Sequence, residues 1–290
     1  MLRKFNRNPW FFLQYYAFTF ILFAALDGVL FANRPADFFD FRFQNWDLLL
    51  IPAGIFVGIM SAALIHNATH SSLRPAWTNR FWGEICGVHQ LYGFLGLSVA
   101  HLLHHKYPDD PERDPHPPDH LPFWKFALNM RLSLRRCLTH AYLQKWGDSV
   151  RSRRIWAAKN FFAASGMYVR LLFWFLLLGP VGFTAFYIPS LITNILFFAH
   201  FNYYTHRPTD DGKTVILNLN HSIYYHVVNR FFFGIYFHRN HHAHPSYANP
   251  RYAPDPANAE SAASELAAEE KQKLPSRKRV AVTADADPGE

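Results

Sequence analysis

Cysteine is nearly missing from this sequence. The only two, Cys86 and Cys137, stand in no CxxC pair, which excludes a disulfide framework and a cysteine-based zinc knuckle. Any metal chemistry must then rest on imidazole. Acidic residues are also few, 21 against 29 Lys and Arg. The basic excess lies beside apolar runs, the pattern of loops facing an anionic leaflet rather than of a nucleic-acid surface. The apolar stretch opening at "MLRKFNRNPWFFLQ" has no small-residue cleavage pattern after it, so it reads as a retained first span and not as a signal peptide. No internal repeat is visible. Charge is wholly absent from Leu48 to Ile65 and from Leu171 to Ala199.

What is present is apolar and aromatic: 50% of the residues are hydrophobic and 18% are Phe, Trp or Tyr. A hydrocarbon core ~30 Å thick needs ~20 apolar helical residues. Spans are therefore expected at about 10–32, 48–67, 160–179 and 182–204, the last two divided by the turn signal Gly179-Pro180-Val181-Gly182. The fold expected is all-α, a four-helix transmembrane bundle with a cytosolic helical cap formed by residues 68–158 and 205–250. Residues 1–250 make one domain, and the polar, Pro-punctuated stretch 251–290 is expected to be a mostly disordered tail. Phe81 to Ala100 carries Glu84, His89 and Gln90, which favours a re-entrant or interfacial helix over a full span. Arg170, inside an apolar run, must face the bundle interior or snorkel to the surface. The basic N-terminus and the more acidic link after the first span place the N-terminus, and with it the end of the second span, on the cytoplasmic side.

At that second span's end stand His66 and His70, four apart and so on one helical face. "HLLHH" follows with His101, His104 and His105, and later "HRNHH" with His238, His241 and His242. Helical i, i+3, i+4 spacing is expected to bring each trio within reach of a common point. With 17 histidines in 290 residues, one HxxHH arises by chance with probability about 0.06 and two with about 10⁻³. "NYYTH" adds Asn202 and His206 at the end of the last apolar run. His200, six residues before His206, cannot share its face. Eight or more imidazoles exceed what one ion takes, so two metals are expected. Imidazole suits iron, zinc, copper and nickel alike. Iron is favoured, because zinc has no redox chemistry and no carboxylate base lies inside any box.

"HNATH", "HLLHH" and "HRNHH", in this order around an apolar hairpin, resemble the three histidine boxes of the integral-membrane fatty acid desaturase superfamily. The resemblance runs from about Leu48 to Pro250. "NYYTH" resembles the additional box of acyl desaturases. It implies a non-haem di-iron centre: two iron ions (Fe2+) held by His66, His70, His101, His104, His105, His206, His238, His241 and His242, with Asn202 acting through water. Dioxygen would be the co-substrate and a fatty acyl chain or other lipid the substrate. Two electrons would come from a separate donor, a ferredoxin, rubredoxin or b-type cytochrome. The basic surface around Arg131, Arg135, Arg136, Arg151, Arg153 and Arg154 could steer such an acidic donor, although attraction to lipid headgroups is the reading that priors for juxtamembrane basic loops favour about twofold. "HHKYPDDPERDPH", "THRP" and "HHAHPSYANPRYAP" also resemble carotenoid ketolases. Carotenoid ketolation or hydroxylation is thus the second reading, beside fatty-acid hydroxylation or decarboxylation. A zinc-dependent membrane hydrolase and a metal carrier are the remaining alternatives.

Overall fold

The structure, a computed structural model, describes residues 2–117, 121–208 and 214–256. It is almost entirely helical. A short α1 (Leu2–Phe5) leads into α2 (Phe11–Ala32), followed by α3 (Leu50–Thr69), α4 (Trp77–His89), α5 (Phe94–Lys106), α6 (Phe123–Trp146), α7 (Val150–Gly182), α8 (Ile188–Thr205), α9 (Ile223–Phe231) and α10 (His238–Ala243). The strands β1 (His206–Pro208) and β2 (Thr214–Ile216) pair antiparallel, with His206 opposite Ile216. α2 packs along α7, and α3 along both α8 and α4. Among the described residues three helices are long and apolar enough to cross a membrane: Phe11–Ala32, Asn45–Thr69 and the stretch Val150–Thr205.

That last stretch holds 56 residues, far more than the ~20 a bilayer needs, so it must fold back. It does so where the sequence predicts. Gly179 leaves helical geometry at φ 71°, ψ 170°, a left-handed φ that favours glycine. Pro180 has no N–H to offer the carbonyl of Leu176 four residues earlier. Arg34, just past α2, supplies the missing donor: its Nε and Nη2 reach the Leu176 oxygen at 2.9 and 2.6 Å. A cation at a helix C-terminus also suits the helix dipole. A π-helical turn, Phe183–Tyr187, then leads into α8. α7 begins about ten residues before the expected 160, because Ser149 caps it by accepting a hydrogen bond from the Ser152 N–H.

The stretch expected to be re-entrant is a broken pair. α4 and α5 are bent by 104° at Gly93, whose φ is 89°. Tyr187 donates to the His89 carbonyl at 2.9 Å, and Ser190 Oγ meets His89 Nε2 at 2.9 Å. These bonds tie the break to α8 and its π turn. Arg170 faces the interior: it is 1% exposed, and donates to Thr19 Oγ1 on α2 at 2.8 Å and to the Gly166 carbonyl at 3.1 Å.

Pro250–Tyr252 forms a 3-10 turn, and Asn240 Nδ2 donates to the carbonyls of Pro250 and Ala253 at 3.3 and 3.4 Å. Those bonds hold the chain against α10 as far as Ala253. The first compact unit ends at Ala253, and beyond 256 the expected disordered tail lies outside the described residues.

Candidate metal centre

Four segments deliver imidazoles to one place. α3 carries His66 in its last turn and is capped by His70; α5 carries His101, His104 and His105; β1 opens with His206; α10 carries His238, His241 and His242. The rings form two quartets, His66, His70, His101 and His241 in one and His104, His206, His238 and His242 in the other, the ligand atoms of each lying within 4.8 Å of one another. His105 lies against both. Its Nε2 is 3.2 Å from that of His101 and 3.0 Å from that of His241, and its ring centroid is 4.2 Å from that of His242. All nine histidines singled out in the sequence converge.

One expectation is corrected. A single HxxHH box does not serve a common point. His104 joins one quartet while His101, three residues before it, lies in the other, and His241 is parted from His238 and His242 in the same way. At about 100° per residue, positions i+3 and i+4 fall on opposite sides of the line through i. Each box is thus a fork that spans two sites.

The spacing fits ions better than hydrogen bonds. Nε2 pairs stand at 2.8 Å (His101 and His70), 3.1 Å (His238 and His206) and 3.1 Å (His242 and His238). Neighbouring donors around an ion bound at ~2.1 Å would be ~3 Å apart. Hydrogen bonding among the rings would leave His66 Nε2 and His104 Nε2 buried without a partner, and likewise Asn202 Oδ1; buried polar atoms are rarely left so. Asn202 is 2% exposed, and its Nδ2 is already committed to the Phe198 carbonyl at 2.8 Å, which leaves the oxygen as the free donor atom. Burial depresses the basicity of His70, whose pKa falls to about 4 with help from His104. It acts in the same direction on His206, His238, His241 and His242. Burial thus favours the neutral form of these five rings, the state that binds metal.

Two carboxylates behind the rings went unrecognised in the sequence. Asp114 Oδ2 lies 2.8 Å from His104 Nδ1 and also accepts from the Asp109 N–H at 2.6 Å, while its Oδ1 accepts from the His116 N–H at 2.7 Å. Burial would raise the Asp114 pKa, yet its contact with the His104 ring and the His116 N–H bond bring it down to about 2. Asp109, at φ 63°, places Oδ1 3.2 Å from His206 Nδ1. Such partners fix the tautomer and the orientation of a metal-binding imidazole. Both serve the same quartet. Their signal was the acidic run "PDDPERDP" after the second box, outside every histidine pattern. His200 is no substitute for His206: its Nδ1 is bonded to Tyr236 Oη at 2.5 Å, apart from both quartets. His116 is buried with neither ring nitrogen partnered, its centroid 6.2 Å from that of His104.

Apolar helices of membrane-crossing length, ending in paired clusters of imidazoles that could hold metal ions, define a class of helical membrane protein with a histidine-rich site. The model of the fatty acid desaturase family matches residues 44–260, and the chain belongs to that family. It is accordingly an oxidoreductase of the membrane desaturase and hydroxylase superfamily. No curated protein and no solved structure matches it.

Proposed function

We propose that this protein is an oxygen-dependent membrane desaturase that removes hydrogen from unactivated C–H bonds of a fatty acyl chain at a di-iron centre. The observation that carries the reading is the pair of adjoining histidine quartets. One iron would be held by His66, His70, His101, His241 and His105, the other by His104, His206, His238 and His242 with Asn202 through water. Iron in these sites, given dioxygen and two electrons from a ferredoxin, rubredoxin or b-type cytochrome, supplies an oxidant able to attack a methylene. The chain's own task is placement. Asp114 and Asp109 orient His104 and His206, and Phe201, with its ring 5.6 Å from His66 and 5.4 Å from His238, helps to keep the inner side of the cluster dry. Four spans are proposed: α2, α3 and the two arms of the hairpin broken at Gly179. The N-terminus and the histidines then lie on the cytoplasmic side, as the basic residues before α2 favour.

Metal analysis of the purified protein, with mass spectrometry of fatty acids and carotenoids from an expressing host, tests the proposal. Two irons per chain and a new acyl double bond are expected. Zinc in place of iron would sink it. Altered carotenoids with unaltered acyl chains would move the activity to the second reading, which the Asp-Pro run behind His104 and His206 favours.

The carboxylate backing makes the two sites unequal. Asp114→Asn keeps an oxygen acceptor but removes the charge, and loss of such a partner weakens a metal site by about 10–100-fold. Iron titration of this variant is expected to become biphasic, with one equivalent bound as in the parent and the other weakly. Uniform weakening of both would contradict the assignment of Asp114 to a single site.

A further inference from the structure

A buried lysine, with no carboxylate beside it among the described residues, stands apart from the histidines. Lys159, near the start of α7, is 2% exposed. Its Nζ lies 4.4, 4.9 and 5.6 Å from the ring centroids of Trp156, Tyr16 and Phe12, and its nearest polar contact is Asn160 Oδ1 at 3.4 Å. Aromatic faces steady a cation, but they do not replace the counter-ion that a buried charge requires. Lys159 lines a pocket of about 270 Å³ shared with Arg131, Arg135 and Asn160, and among the described residues no acidic one lines it. Three cationic side chains thus face one small space.

The pocket adjoins an apolar one. Leu91, Tyr92 and Arg131 line both it and a second cavity of about 140 Å³. The second is walled by side chains such as Leu97, Met130, Ile195 and Phe198, and His116 lines it too. The His116 ring is 6.2 Å from that of His104. A cationic chamber therefore opens beside an apolar one that leads toward the histidine cluster. That is the shape and polarity of a linear amphiphile with an anionic head.

We propose that Lys159, with Arg131 and Arg135, binds the oxyanion head of an acyl substrate whose tail passes Tyr92 and His116 toward the histidines. The head is a fatty-acid carboxylate or a lipid phosphate, two sources of the same chemistry. The inference rests on the desaturase reading above and decides within it: a carotenoid has no oxyanion and would leave Lys159 unpaired.

The test is displacement of a spin-labelled stearate from purified protein in detergent by stearate, by stearyl alcohol of equal chain length and by dioleoyl phosphatidylglycerol, with iron counted in the same samples. At least one anionic competitor is expected to displace the label tenfold more effectively than the alcohol. Preference for stearate identifies a carboxylate site, and preference for the phospholipid a phosphate site. Lys159→Met, which removes a buried charge at little cost to folding, should abolish the preference while the alcohol still displaces the label; Lys159→Arg should keep it. Arg131→Gln, at an exposed side chain, should reduce it about threefold. Equal displacement by acid, phospholipid and alcohol, or an unchanged preference in Lys159→Met, overturns the site. Protein that lacks two irons yet shows the preference overturns the di-iron reading and leaves the anion site standing.

Discussion

Replacing His104 by alanine is expected to abolish turnover and to cut bound iron from two per chain to one or fewer. His104 is 1% exposed, its Nε2 has no other partner, and its Nδ1 is fixed by Asp114. Alanine removes a ligand and also leaves the buried Asp114 carboxylate facing a gap, which is costlier than losing the contact alone. Loss of activity could by itself mean a misfolded chain. Three readouts are therefore needed: iron content, helicity and activity. His221→Ala is the comparison, because His221 is exposed and lies outside both quartets; it should keep all three at parent levels. A His104→Ala protein that still held two irons would remove His104 from the ligand set and break the pairing of sites proposed here.

The convergence of the histidines was legible in the sequence because it depends on local spacing. His66 and His70 are set by one turn of α3, and the two HxxHH boxes by one turn each of α5 and α10. The hairpin was legible for the same reason, since Gly179-Pro180 punctuates an uncharged run whatever surrounds it. What could not be read was how the turns face each other. Which ring of each box joins which quartet depends on the 104° bend between α4 and α5 and on the angle at which α10 meets them. Asp109 was missed because its partner His206 lies 97 residues away, and Asp114, although only ten residues from His104, because it sits in a loop with no periodicity. Arg170 was ambiguous until its partner Thr19, 151 residues earlier, was known. Long-range pairing of this kind leaves no mark within a short window of sequence.

Gly58→Val is expected to unfold or strongly destabilise the protein, although Gly58 touches none of the histidines. Gly54 and Gly58 form a G-x-x-x-G strip inside an uncharged run, an arrangement that lets two membrane helices approach at backbone distance. Here the partner is α8 with the turn before it. A Cβ on Gly58 would collide with the Ser190 carbonyl oxygen, and one on Gly54 with that of Phe186. Asn194 clamps the same crossing by donating to the Gly58 carbonyl at 3.0 Å and to Ser61 Oγ at 2.7 Å. Backbone cannot swing aside as a side chain can, so the cost should reach or exceed the ~1–3 kcal/mol typical of overpacking. The consequence extends to the site. α3 ends in His66 and His70 and α8 in Asn202 and His206, so wedging the crossing open displaces donors of both quartets together. Thermal unfolding in detergent should show a large drop in midpoint, and whatever protein is recovered should have lost iron at both sites, unlike Asp114→Asn, which should spare one. Gly28→Ala in α2 is the control, since a Cβ there meets nothing within 4 Å and alanine favours helix by up to about 1 kcal/mol. If Gly58→Val melted with Gly28→Ala and kept two irons, α3 and α8 would not cross in the way described, and the route by which four separated segments bring their imidazoles together would have to be redrawn.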